Sequence, residues 1–156
     1  MSLLSDRILN MSTSATLAMA AKARELRGEG KDIIGLSLGE PDFNTPDFIK
    51  DAAIKAINDN YNSYTPVDGY ADLKEAIITK FKRDNNLTYK PSQIVVSTGA
   101  KQALFNIAGV MLNDGDEVIL PCPYWVSYAD IVKLFGGVPI EVKTSIDTDF
   151  KMTAEQ

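Results

Sequence analysis

The sequence predicts an α/β protein built on a mainly parallel sheet, with helices on both faces, and three features predict it. Short β-branched runs alternate with amphipathic stretches of helical length. The connections between them are short and rich in glycine, proline and asparagine. Two consecutive strand candidates run into the clusters STGAK and PCPYW. Strand and helix alternating at short intervals imply right-handed crossovers and parallel pairing. In such sheets ligands bind beyond the carboxyl ends of the strands, so the two clusters should share one rim.

Residues 1–12 carry no strong period and read as an arm. Ser14 is the N-cap candidate for a helix over 15–27, along which Ala15, Ala18, Met19, Lys22 and Leu26 are spaced, with Gly28 or Gly30 to close it. Residues 33–38 form a short apolar run, read as a strand, that enters the loop GEPDFNTP. Thr45 as cap and Pro46 as first helical residue predict a second helix to Asn58, burying Phe48, Ile49, Ala52, Ala53, Ala56 and Ile57. After the turn-rich NYNSYTPVDG, a third helix over 70–84 sets Tyr70, Leu73, Ile77 and Phe81 on one face. Its charges oppose the helix dipole: Asp72 near the start, Lys80, Lys82 and Arg83 near the end.

The stretch QIVVSTGAKQALFNIAGVML reads as strand (94–96), glycine turn and helix (to Leu112). The helix is apolar almost all round, which predicts burial; Lys101, Gln102 and Asn106 crowd its first turns. There the backbone N–H groups lack intrahelical partners and the macrodipole is positive, so an anion could sit at this end. The spacing fits neither GxxxxGKS/T nor GxGxxG, which argues against a nucleoside-triphosphate loop or a dinucleotide fingerprint. Taken alone, it is most simply an ordinary βα turn with a solvated lysine.

NDGD ends that helix, 118–120 is the next strand, 127–135 a helix, and GGVPIEV a strand again. The one tryptophan, Trp125, lies in PCPYW, where two prolines hold the preceding residues extended. A lone tryptophan is more often a core residue than a ligand platform. At a strand's carboxyl end beside an anion site, however, it suits a phosphorylated aromatic ligand.

Composition narrows the chemistry. With 156 residues, 45% hydrophobic and 24% charged, the chain suits about one globular domain. No apolar run approaches the roughly 20 residues of a membrane span, and residues 1–10 lack the pattern of a signal peptide, so the expected location is cytoplasmic, without a membrane partner. A net charge of −5 with scattered basic residues offers no cationic stripe for nucleic acid. One cysteine and no histidine leave no disulfide framework, no Cys/His metal site and no histidine triad. Lysine, tyrosine, carboxylates or a borrowed cofactor must carry any reaction. The ending KMTAEQ has no stop signal and reads as the start of another element, as if the chain were half of something larger.

LSLGEPDFNTP, YTPVDGYADLKEAI, STGAKQALFN and DEVILPCPYWVSY, in this order and at these separations, resemble the amino-terminal part of the class I pyridoxal-phosphate-dependent aminotransferases, most closely the bacterial aspartate aminotransferase group. The resemblance runs from about Ser14 to Val142. It implies the first part of the fold-type I large domain: an arm over 1–12, a small-domain segment over 13–44, and the amino-terminal half of the pyridoxal-phosphate-binding domain over 45–156. It also implies residue roles. Backbone groups of Gly99, Ala100 and Lys101 would hold the phosphate of pyridoxal 5'-phosphate; Trp125 would stack on its ring and help hold the substrate; Gly39 would offer its N–H to the substrate α-carboxylate. Tyr64 would reach the phosphate of the other subunit's cofactor in a homodimer. The Cys122–Pro123 bond is expected to be cis, with Cys122 a packing residue.

The implied reaction is a ping-pong transamination, moving the amino group of an amino acid, aspartate by resemblance, to a 2-oxo acid such as 2-oxoglutarate. No residue of this chain is assigned as catalytic, because the family's Schiff-base lysine lies beyond the position of Gln156. Lys101 stands at the wrong end of the ring to replace it, so the 156 residues alone are expected to be inactive. Two other readings compete: a non-catalytic aminotransferase-like ligand-binding module of a transcription regulator, and a plain phosphate-binding α/β domain. The first wants a basic DNA-binding segment ahead of the domain. The second leaves Trp125 and GEPDF without a purpose.

Overall fold

A computed structural model describes residues 3–39 and 41–156. Glu40, within the GEPDF loop, and the first two residues of the arm lie outside the described residues. The chain divides into two compact units, Met1–Leu38 with Thr98–Gln156, and Gly39–Ser97.

In the first unit the arm contains a one-turn helix, α1 (Asp6–Leu9), followed by α2 (Ala15–Gly28). Ser14 caps α2 as its residue type demands, its side-chain oxygen accepting from Leu17 N at 3.3 Å. The helix stops in a Schellman arrangement: Lys31 N–H returns to Leu26 O at 3.1 Å and Gly30 N–H to Arg27 O at 3.0 Å. The remaining elements are α5 (Gly99–Met111), β1 (Glu117–Cys122), α6 (Ser127–Leu134) and β2 (Val138–Lys143). Strands β1 and β2 pair in parallel from Glu117 opposite Val138 to Cys122 opposite Lys143, with α6 as the crossover.

Asparagine and aspartate build the turn between α5 and β1. Asn113 N–H donates to Asp116 Oδ2 at 2.7 Å, and Asp116 O accepts from Val138 N at 2.8 Å, which starts the ladder. Ala108, Leu120 and Val132 are buried where α5, β1 and α6 meet, and Phe105 stands edge-to-face against Phe135 at 4.8 Å between centroids. The Cys122–Pro123 peptide is cis, as the resemblance implied.

The second unit holds α3 (Asp47–Asn58) and α4 (Ala71–Asn85). α3 also closes by a Schellman pair, with Asn60 at φ 60° in the position glycine usually takes. Pro46, rather than Thr45, occupies its N-cap, and no side chain caps it. α4 carries Asp72 in its first turn and Lys82 and Arg83 in its last, the charge order that the dipole favours. The loop before α4 docks on the segment that leads to α5. Val96 N–H donates to Asp68 O at 3.1 Å, and Gly69, at φ +100°, leaves no room for a side chain: a Cβ there would stand 2.5 Å from Val96 Cγ2.

Four expectations fail, each for want of a neighbouring segment. Residues 33–38 and 94–96 are extended but are not strands, because a strand exists only against a hydrogen-bonded neighbour and no described residue supplies one. Residues 33–37 instead run beside Met19, Lys22, Ala23 and Leu26 of α2, and Ile33 O accepts from Arg27 Nη2 at 3.1 Å. Nor are the apolar faces of α3 and α5 covered: Phe48 is 74% exposed and Val110 86%. Periodicity identifies the face that needs cover, not what covers it.

Candidate cofactor site

The first turn of α5 is built for an anion. Thr98 is its N-cap, with no side-chain cap bond, and Gly99 opens the helix at φ +79°. That left-handed start suits glycine, and a Cβ at Gly99 would meet nothing within 4 Å, so the approach to the backbone is open. The N–H groups of Gly99, Ala100 and Lys101 precede the first intrahelical acceptors, and no acidic residue stands in this turn to repel an anion. Gln102 turns its amide oxygen back onto Thr98 N–H, bracing the turn without filling it.

Lys101 joins this turn to the second cluster. Its Nζ lies 6.0 Å from the centroid of the Trp125 ring, at the outer range of a cation–π contact. Among the described residues no carboxylate stands within ion-pair distance of Lys101, so its charge is available. Trp125 is 49% exposed, so it is not a core residue of this structure. The clusters STGAK and PCPYW thus meet as Lys101 beside Trp125, although the run before the first is not a strand of the sheet.

The loop carrying Trp125 is tied to the end of β2 by bonds that the sequence reading missed. Cys122 O accepts from both Thr144 N, at 3.1 Å, and Thr144 Oγ1. The Tyr124 hydroxyl donates to Glu141 Oε1, 17 residues away. That bond, with burial and the negative charge of Glu141 adding to it, pushes the Tyr124 phenol up to about 12. Trp125 O then accepts from Tyr128 N at 3.0 Å, opening α6. The one hint in the sequence was a charged Glu141 inside the otherwise apolar run GGVPIEV. Gly39 and Tyr64 belong to the other unit; both are exposed, and no atom lies within 4 Å of a Cβ built on Gly39.

The donor set fits a phosphorylated aromatic group: N–H donors and an ammonium for the phosphate, and an accessible indole face for the ring. The family model described as aminotransferase class I and II matches residues 31–156.

The chain belongs to the class I and II aminotransferases.

Curated relatives of this aminotransferase chain include the aspartate aminotransferase of Bacillus sp. (strain YM-2), 53% identical over 154 residues, covering 99% of the chain and 39% of the relative. The aspartate/prephenate aminotransferase of Cereibacter sphaeroides is 53% identical over 156 residues, covering 100% of the chain and 39% of the relative. Among solved structures, the aspartate aminotransferase of Rhizobium meliloti superposes with a TM-score of 0.93 at 44% identity, over 99% of the chain and 39% of its own length. The Thermus thermophilus aspartate aminotransferase with maleate gives 0.92 at 45% identity, over 99% and 41%. The chain therefore spans about 39% of the length of the curated relatives it matches. Its fold is the one read from the sequence, the amino-terminal part of the fold-type I aminotransferase architecture. Among the described residues no helix is long and apolar enough to cross a membrane.

Proposed function

We propose that this chain supplies the phosphate-holding end of a pyridoxal-phosphate-dependent transaminase that moves the amino group of aspartate to 2-oxoglutarate in a ping-pong cycle. The observation carrying this reading is the open, glycine-started turn of α5 with Lys101 Nζ 6.0 Å from the Trp125 ring. Pyridoxal phosphate, when bound, supplies the electron sink that makes a substrate Cα–H acidic. The chain's own residues hold and orient. Backbone N–H groups of Gly99, Ala100 and Lys101 fix the phosphate oxygens, as helix N-termini do for anions. The Trp125 indole stacks on the pyridine ring and excludes water from one face of the site.

Gly39 gives its N–H to the substrate α-carboxylate, and Tyr64 sends its hydroxyl to the phosphate in the other subunit of a homodimer. Residues 13–44 belong to the small domain and 45–156 to the large one, in a cytoplasmic enzyme. An acidic substrate is supported by relatives whose names carry aspartate.

No lysine of this chain is assigned the covalent bond to the cofactor, so the 156 residues alone are expected to be inactive. The deciding experiment incubates the protein expressed from its own gene with pyridoxal phosphate, aspartate and 2-oxoglutarate and follows glutamate and oxaloacetate together. Stoichiometric formation of both supports the reading. A protein that binds pyridoxal phosphate yet transfers no amino group from any amino acid sinks it in favour of a non-catalytic module. Turnover by the isolated 156-residue chain would instead overturn the assignment of the lysine.

A further inference from the structure

We propose that Glu141 is a positioning residue for the cofactor-stacking tryptophan: through the Tyr124 hydroxyl it fixes the direction in which the Trp125 indole faces the first turn of α5. The proposal rests on the reading of Trp125 given under Proposed function. Strands β1 and β2 part at their last pair, Cys122 opposite Lys143, and beyond it the chain has no ladder to hold it. Two attachments replace the ladder. One is the Cys122 carbonyl, held by the backbone and hydroxyl of Thr144; it fixes where the loop leaves the sheet. The other is Tyr124 on Glu141, which folds the loop back over β2 to a residue paired with Leu120.

Trp125 follows immediately and is half exposed, so packing alone does not fix its orientation; the attachments at Cys122 and Tyr124 restrain it. The Glu141 carboxylate has no salt-bridge partner among the described residues and accepts from Tyr124, so the bond to the phenol is its evident employment. The phenol, pushed up to about 12, remains a donor at every pH at which the protein would work.

The test uses the protein expressed from its own gene and measures binding of pyridoxal phosphate and of inorganic phosphate by equilibrium dialysis, with the induced circular dichroism of the bound cofactor as a report of ring orientation. Tyr124→Phe and Glu141→Ala each remove the bond, and each is expected to weaken pyridoxal phosphate binding about three- to tenfold. Each should also change the induced dichroism and leave inorganic phosphate, which touches only the α5 turn, unaffected. Glu141→Gln keeps an acceptor oxygen and should restore wild-type behaviour. The double variant Tyr124→Phe/Glu141→Ala should be no weaker than either single one, because both delete the same bond.

Unchanged pyridoxal phosphate affinity and dichroism in Tyr124→Phe overturn the proposal, as does an equal loss of both ligands, which would mark a general collapse of the loop. Additive losses overturn it too. Trp125→Ala separates this from the parent reading. If that variant binds pyridoxal phosphate as wild type, the stacking role falls and the proposal with it. If it binds weakly while Tyr124→Phe does not, the proposal alone falls.

Discussion

Among the described residues Lys74 is the charged one that is buried: its Nζ meets Asp68 Oδ2 with only 11% of the lysine side chain exposed, against 44% for the aspartate. Asp68 also lends its carbonyl to Val96 N–H, so one residue anchors α4 and the segment leading to α5. Burying a lysine is costly unless it is paired, and loss of the carboxylate would leave its charge buried without compensation.

Removing the carboxylate alone should therefore be worse than removing both charges. Asp68→Asn is expected to lower Tm more than the double variant Asp68→Asn/Lys74→Met, read by thermal denaturation. A larger loss in the double variant would show that the lysine earns its place by some other contact. The hydrogen bond from Lys74 holds the Asp68 carboxyl below its ordinary range. The stability this contributes is present above the unfolded carboxylate's pKa and is lost as pH falls through the depressed folded value. Asp68→Asn should accordingly flatten the acid limb of the stability profile.

Tyr124 should titrate late. Its hydroxyl is pushed up to about 12 by Glu141, so its folded pKa exceeds the unfolded value of 10.0. The linked stability is complete below 10.0 and disappears as pH climbs through about 12. Phenolate absorbance measured against pH should show Tyr124 ionising late, and Glu141→Ala should bring its ionisation to lower pH. If all tyrosines titrate together in the native protein, the bond to Glu141 is not formed in solution.

Gly99→Ala tests the turn itself. The space for a methyl group exists, so the cost is conformational: a left-handed φ of +79° disfavours alanine by about 1–2 kcal/mol. The turn will relax and misdirect the N–H groups, so inorganic phosphate binding should weaken along with stability. Phosphate affinity that survives the substitution intact would place the anion elsewhere.

Ser14→Ala should destabilise α2 by about 1 kcal/mol, since the serine oxygen that accepts from Leu17 N is its N-terminal cap. Far-UV circular dichroism during denaturant unfolding measures this. Ser14→Asp, which keeps an acceptor and adds a favourable charge, should recover the loss.

Local signals were legible in the sequence, and pairings were not. Ser14, the glycine stop offered at Gly28 or Gly30, the charge order of α4 and the NDGD turn each write their structure into a few consecutive residues, and those elements begin and end within a residue or two of where they were read. The extended runs at 33–38 and 94–96 have the residues of strands, but a ladder is a property of two segments. The same limit hid the tie between Tyr124 and Glu141, which depends on a register that sets Glu141 opposite Leu120. The Lys101 and Trp125 neighbourhood was foreseeable because both follow strand-like runs toward one rim. Its 6.0 Å spacing was not.

Gly69 is held at its identity twice over. A methyl group would collide with Val96, and φ of +100° would strain alanine even with that collision removed. Shrinking Val96 to alanine thus opens the space without granting permission to use it, and the substitution itself strips packing from the segment before α5. The position has no easy stepping stone: mutational drift from glycine must cross a less stable intermediate whichever residue changes first. Directed-evolution libraries that randomise the DGY loop should return glycine here long after its neighbours have diversified.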